Sequence, residues 1–133
     1  MTRLIALLLS AGAMVGSIPT ASAQDADAGK RIFARCGVCH GIGDTTKPIG
    51  PSLNGLIGRT AGTEPSFLAK GASGYSKAMV AAGAGGLVWD EANINEYLID
   101  GKKKVPGNKM AFPGLKADKD RADVIAYIKT FAN

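Results

Sequence analysis

Every cysteine and the only histidine of this chain fall in one pentapeptide, Cys36-Gly37-Val38-Cys39-His40. Soft metal-binding chemistry packed into five residues admits few readings. A structural zinc site uses four Cys or His ligands. Here only three exist, all adjacent, so a carboxylate or a second chain would have to complete it. A redox dithiol belongs beside a βαβ pattern, whereas this pair follows one helical segment with no parallel strand evident. A plain disulfide suits an exported protein, but it leaves His40 and the long loops downstream without a role.

C-x-x-C-H is also the attachment signature of a c-type haem. Two thiols add to the two vinyl groups on one porphyrin edge, and the next residue sets an imidazole under the iron. This reading is favoured because it uses all three side chains. On the far side of the iron a second histidine is impossible, which leaves methionine. Met1 and Met14 lie in a leader segment. Met79 sits in the apolar stretch KAMVAAG, where methionine is more often a core gap-filler. Met110 sits in PGNKMAFPG between Pro106 and Pro113, a non-helical loop able to approach a flat cofactor. Met110 is therefore the favoured ligand; an open or lysine-bound sixth position is the alternative.

The first 23 residues read as an export signal, with Arg3, the apolar run Leu4 to Val15, and Ala21-Ser22-Ala23 as the cleavage site. The apolar run is too short to span a bilayer, which takes about 20 residues. Periplasmic residence and one domain over residues 24–133 follow as expectations. Of 16 basic and 11 acidic residues, the leader removes only Arg3, so the mature chain stays basic. Lys102, Lys103, Lys104 and Lys109 cluster as a candidate steering patch for an acidic partner. The cluster lacks interleaved aromatics, which argues against nucleic acid.

Three segments carry helical periodicity. The first runs from Asp27, a candidate cap, to Cys36, with Ile32, Phe33 and Cys36 on one side. The second starts at the cap Asp90 and carries Ile94, Tyr97 and Leu98 until Gly101 ends it. The third runs from about Asp118 to Phe131 with Val124, Ile125, Ile128 and Phe131 as its stripe. No alternating segment is long enough for a sheet. Long glycine- and proline-rich connections separate the helices, and loops of that length in a small domain are usually functional or disordered. The predicted fold is all-α, three main helices with long loops wrapped around one cofactor. No oligomer seam is evident, so a monomer is expected.

Five blocks, in order, carry a resemblance: GKRIFARCGVCH, GPSLNGLIGRTAGT, VWDEANINEYL, KKKVPGNKMAFPGL and DRADVIAYIK. They resemble class I cytochromes c of the bacterial cytochrome c2 type over nearly the whole mature chain. The resemblance implies thioether attachment at Cys36 and Cys39, with His40 and Met110 as axial ligands. It implies that the Pro51 carbonyl accepts a hydrogen bond from the axial imidazole and that the Tyr97 hydroxyl approaches the methionine sulfur. Arg59, Tyr75, Trp89 and Asn108 would surround the haem propionates, and Phe112 would shield the haem edge. Gly29 and Phe33 would meet Tyr127 and Ile128 of the last helix. Phe67 to Gly86 is longer than its counterpart in short family members.

The implied function is one-electron transfer between a membrane quinol-oxidising complex and a terminal oxidase or photosynthetic reaction centre, docking through the lysines on acidic surfaces. The competing class is a haem enzyme or gas sensor with an open sixth site. The two differ in whether Met110 binds iron.

Overall fold

The protein is described by a computed structural model covering residues 23–132. Of the expected signal peptide only Ala23 falls among the described residues, and Met1 and Met14 lie outside them. Six α-helices are present among those residues: α1 (Ala26–Phe33), α2 (Pro65–Leu68), α3 (Lys77–Ala84), α4 (Glu91–Ile99), α5 (Gly101–Lys104) and α6 (Asp118–Lys129). A single 3₁₀ turn spans Gly71–Ser73. Among the described residues extended pairing is limited to one antiparallel bridge, Thr60 with Val88. Among the described residues no helix is long and apolar enough to cross a membrane.

The all-α expectation holds, and the three predicted helices correspond to α1, α4 and α6. Four boundaries differ. α1 stops at Phe33 rather than Cys36, and α6 at Lys129 rather than Phe131. Asp25, not Asp27, caps α1, accepting from the backbone N–H groups of Asp27 and Ala28. Gly101 does not end α4. Asp100 leaves the helix in extended conformation and at once caps α5 by accepting from the Lys103 N–H. The count of main helices also grows, because α3 has eight residues, as many as α1.

α1 and α6 cross in backbone contact. A Cβ on Gly29 would lie 1.9 Å from the Asp123 carbonyl oxygen and 2.9 Å from Tyr127 Cβ, so only glycine permits this approach. Phe33 packs on Tyr127 at 5.3 Å between ring centroids. A polar lock closes the crossing: Asp123 accepts from the Asp25 N–H at 2.9 Å and from Lys119 Nζ at 2.7 and 2.8 Å. α4 joins α6 through the buried Arg121. Its guanidinium donates to Asn95 Oδ1 at 2.7 Å and to the Leu115 and Lys116 carbonyls at 2.6 and 2.9 Å, and pairs with Asp118. The predicted stripes bury as expected, with Val124, Ile125 and Ile128 from α6 and Ile94 and Leu98 from α4 in one core.

Candidate functional site

The pentapeptide hangs from the end of α1 as a continued turn. The Cys36 N–H donates to the Phe33 carbonyl at 2.8 Å, and the His40 N–H donates to that of Cys36 at 2.9 Å. This winding carries Cys36, Cys39 and His40 to one wall of a cavity of about 340 Å³. Both cysteines are free, half-buried thiols, and burial pushes the Cys36 thiol above its usual value against the opposing charge of Arg35. His40 Nδ1 lies 2.8 Å from the Pro51 carbonyl. A carbonyl can only accept, so Nδ1 carries the proton and Nε2 keeps its lone pair. Burial lowers the imidazole pKa, with the Pro51 bond pulling the other way. The ring is therefore held in one orientation by Pro51, with burial favouring its neutral form. Its neighbour Gly50 has room only for hydrogen, since a Cβ there would stand 2.7 Å from His40 Cε1.

α4, α6 and α3 supply the apolar floor through Ile94, Leu98, Val124, Ile128 and Met79. Met79, buried in the core, is where a gap-filler belongs, although it also reaches the cavity. Met110 lines the same cavity from the loop after α5. Tyr97 stands in the wall with its ring 5.0 Å from that of Trp89, and burial pushes its hydroxyl up to about 12. Tyr97 and Met110 line the same cavity. Phe112 lies at the cavity beside Arg35, whose guanidinium carbon sits 5.6 Å from the ring centre.

Pairing of residues 58–61 with 87–89 sets Arg59 beside Trp89: the Trp89 N–H donates to the Arg59 carbonyl at 2.8 Å, and the Gly58 N–H to that of Trp89 at 2.9 Å. Arg59 donates to the Ser52 carbonyl at 2.9 Å and to that of Asn54, and pairs with no carboxylate among the described residues. Tyr75, in the long variable segment, joins this wall. Its hydroxyl accepts from the Glu64 N–H at 3.3 Å, and burial, opposed in part by Arg59, raises its pKa. Arg59, Tyr75 and Trp89 therefore line the same cavity. Asn108 differs in its donors. Both amide protons donate to backbone carbonyls, Gly101 at 2.8 Å and Val105 at 2.9 Å, while Oδ1 accepts the Met110 N–H at 2.9 Å. Its donors are committed to the loop itself and are not left for a propionate.

These features fit a haem. The cavity lies in the usual size range of ligand pockets, about 300–1,000 Å³. Two unoxidised thiols, one free imidazole nitrogen and a thioether share it, and a guanidinium without a protein anion stands at its wall. Among the described residues no group of three or more His, Cys, Asp and Glu side chains is arranged to hold an ion, which leaves the zinc reading without a fourth ligand.

Comparison with known proteins agrees. The cytochrome c family matches residues 26–132. This chain belongs to the cytochrome c family. It is 41% identical to cytochrome c2 of Rhodomicrobium vannielii over 96% of each chain. It is 42% identical to cytochrome c2 of Blastochloris viridis, over 89% of this chain and 87% of that one. The solved structure of cytochrome c2 from Rhodobacter sphaeroides superposes with a TM-score of 0.73 at 34% identity, covering 83% of this chain and 98% of its own. These relatives are cytochromes c2, which places the chain with the c2 type, and the family implies one covalently bound haem c.

The steering patch needs revision in this cytochrome. Lys104 is tied to Glu96 and, at 2.8 Å, to Asn93 Oδ1. Lys109 donates to the Ala72 and Gly74 carbonyls at 2.7 and 3.2 Å. Only Lys102 and Lys103 of the four stand exposed without such bonds. At the cavity wall the exposed cation that sequence reasoning passed over is Arg35, and the exposed apolar residue is Ile49, with 64% of its surface accessible. Arg35 directly precedes Cys36, which was the available signal. Ile49 had none, being one apolar residue in a loop.

Proposed function

We propose that Cys36 and Cys39 carry the haem through two thioether bonds, that His40 and Met110 are its iron ligands, and that this cytochrome shuttles single electrons in the periplasm. Its donor and acceptor would be membrane complexes: a quinol-oxidising complex, and a terminal oxidase or photosynthetic reaction centre. The observation that carries the reading is one cavity lined by both thiols, the lone-pair side of His40 and Met110. The haem supplies the one-electron couple, and ligation by His and Met raises its potential relative to harder ligand sets.

The chain's own residues do the rest. Pro51 fixes the imidazole through Nδ1, which sets its orientation and basicity. Ile94, Leu98, Val124 and Ile128 exclude water, and an apolar surround disfavours the more highly charged oxidised state. Arg59 and Tyr75 offer donors to anionic groups at the wall. Arg35 and Ile49 give the cavity rim a cation and an apolar contact, suited to brief docking on an acidic surface that weakens as salt rises. Residues 1–23 would be removed on export, and the carrier would act as a monomer.

The test is the optical spectrum of the ferric holoprotein, compared with Met110→Ala. A low-spin spectrum with the weak long-wavelength sulfur-to-iron band, lost in the variant along with a drop in reduction potential, is the expected result. A high-spin wild-type spectrum, or a variant with unchanged potential, would instead favour the open-site enzyme or sensor.

A further inference from the structure

The loop that presents Met110 has almost no backbone support of its own. Between Val105 and Leu115 the sole backbone–backbone hydrogen bond is the Asn108 N–H to the Val105 carbonyl, at 3.1 Å. Pro106 and Pro113 have no N–H to offer, and Gly107 turns the chain at φ +87. Met110 must therefore be placed by side chains, and the one bonded directly to it is Asn108.

Asn108 is buried, with 6% of its surface accessible. Its amide touches three points: Gly101 at the start of α5, Val105 just past its end, and the N–H of Met110. Every strong donor and acceptor of this side chain is used, and all partners belong to the loop or its base. Loss of the amide would leave the Met110 N–H without its partner, while the Gly101 and Val105 carbonyls would each keep one backbone donor; an unmet N–H away from water costs more than a surface hydrogen bond returns.

We propose that Asn108 is a positioning residue for the iron ligand: its amide sets how firmly Met110 is held at the cavity. This rests on the reading of Met110 as a ligand. It separates Asn108 from Arg59, Tyr75 and Trp89, with which the resemblance grouped it. An asparagine that merely filled the core would change overall stability and ligand retention in step. One that positions Met110 changes retention more than stability.

The experiment compares holoprotein variants Asn108→Ala, Asn108→Ser and Met110→Ala by imidazole titration of the ferric iron, amide exchange at Met110 and at Val124, and chemical denaturation. Imidazole competes with Met110 for iron, so its apparent affinity reports how readily Met110 leaves. For Asn108→Ala the expected result is a rise in that affinity of about tenfold or more, the equivalent of about 1.4 kcal/mol. Exchange should speed at Met110 but not at Val124, with a smaller change in the denaturation midpoint. Serine keeps an acceptor for the N–H two residues on, and should restore part of the difference. Wild-type affinity in Asn108→Ala together with raised affinity in Met110→Ala would overturn the proposal and leave Met110 ligation standing. Wild-type affinity in Met110→Ala would overturn the ligation reading and the proposal with it. If Asn108→Ala does not fold, the serine variant and wild-type exchange decide: an unprotected Met110 amide in the wild type overturns the proposal.

Discussion

Where α1 crosses α6, the molecule is held by contact between backbones, by aromatic rings packed at a tilt and by a buried carboxylate with three hydrogen bonds. From Pro106 to Gly114 it is held by one backbone hydrogen bond, one asparagine and one lysine. The first region gains its stability from close packing, which tolerates little change in volume. The second gains it from a handful of directional bonds that can be altered one at a time. In a carrier that must keep its ligand yet let its ligand strength be set, this division lets the scaffold stay fixed while the loop is adjusted.

The division can be broken at its strong end first. Gly29→Ala drives a methyl group into the Asp123 carbonyl, and the helices have to separate. We expect a loss of about 3 kcal/mol or more in chemical denaturation of the holoprotein, the upper end for overpacking. A variant as stable as the wild type would show that the crossing has slack and would remove the contrast.

A gentler change sharpens it. Lys119 and the Asp25 N–H hold the Asp123 carboxyl below the usual carboxylate range, with burial opposing. A carboxyl with its folded pKa below the unfolded value of about 3.9 adds stability above that pH and loses it as pH falls through the folded pKa. Asp123→Asn should therefore unfold more easily at neutral pH. The difference from wild type should shrink below about pH 4, as followed by denaturation midpoints from pH 7 to pH 2. Imidazole affinity should stay at the wild-type value, the reverse of the Asn108→Ala pattern. Joint movement of both quantities in Asp123→Asn would mean that crossing and loop are one cooperative unit.

The smallest effect is electrostatic. Reversing Lys102 and Lys103 together should slow electron delivery to an acidic partner by about twofold at low salt, and Arg35→Glu by several-fold, since rim charges act chiefly on encounter. Stopped-flow rates at two salt concentrations would check this. Equal slowing by both would restore the lysine patch to the docking face.

The strong region was the more legible one in the sequence. Apolar spacing alone places Ile94, Leu98, Val124, Ile125 and Ile128 in the core, because helical periodicity is local and burial follows it. The grouping of Cys36, Cys39 and His40 was legible for another reason: their closeness in sequence keeps all three on one cavity wall. What escaped were choices settled by tertiary partners. Asp25 and Asp27 are equally good caps in sequence, but the Asp25 N–H bonds Asp123 from α6. Lys104 and Lys109 look like their neighbours until Glu96 and the Ala72 carbonyl engage them. The role of Asn108 depends on three backbone groups that a loop brings together only once it has folded.

Lys109 has a counterpart on the other side of the 3₁₀ turn in the chain. Lys70 Nζ donates to the Pro48 carbonyl at 2.6 Å, while Lys109 reaches the Ala72 and Gly74 carbonyls, and Phe67, just before Lys70 in the chain, is buried. The stretch around the 3₁₀ turn is thus pinned to the body on both sides. Lengthening a flexible stretch between fixed points is cheap, about 0.6 kcal/mol for each doubling. Descendants of such a protein can therefore gain residues between Lys70 and Ala72 at little cost, whereas from Ser73 onward the chain lines the cavity and a change of length would reach the site.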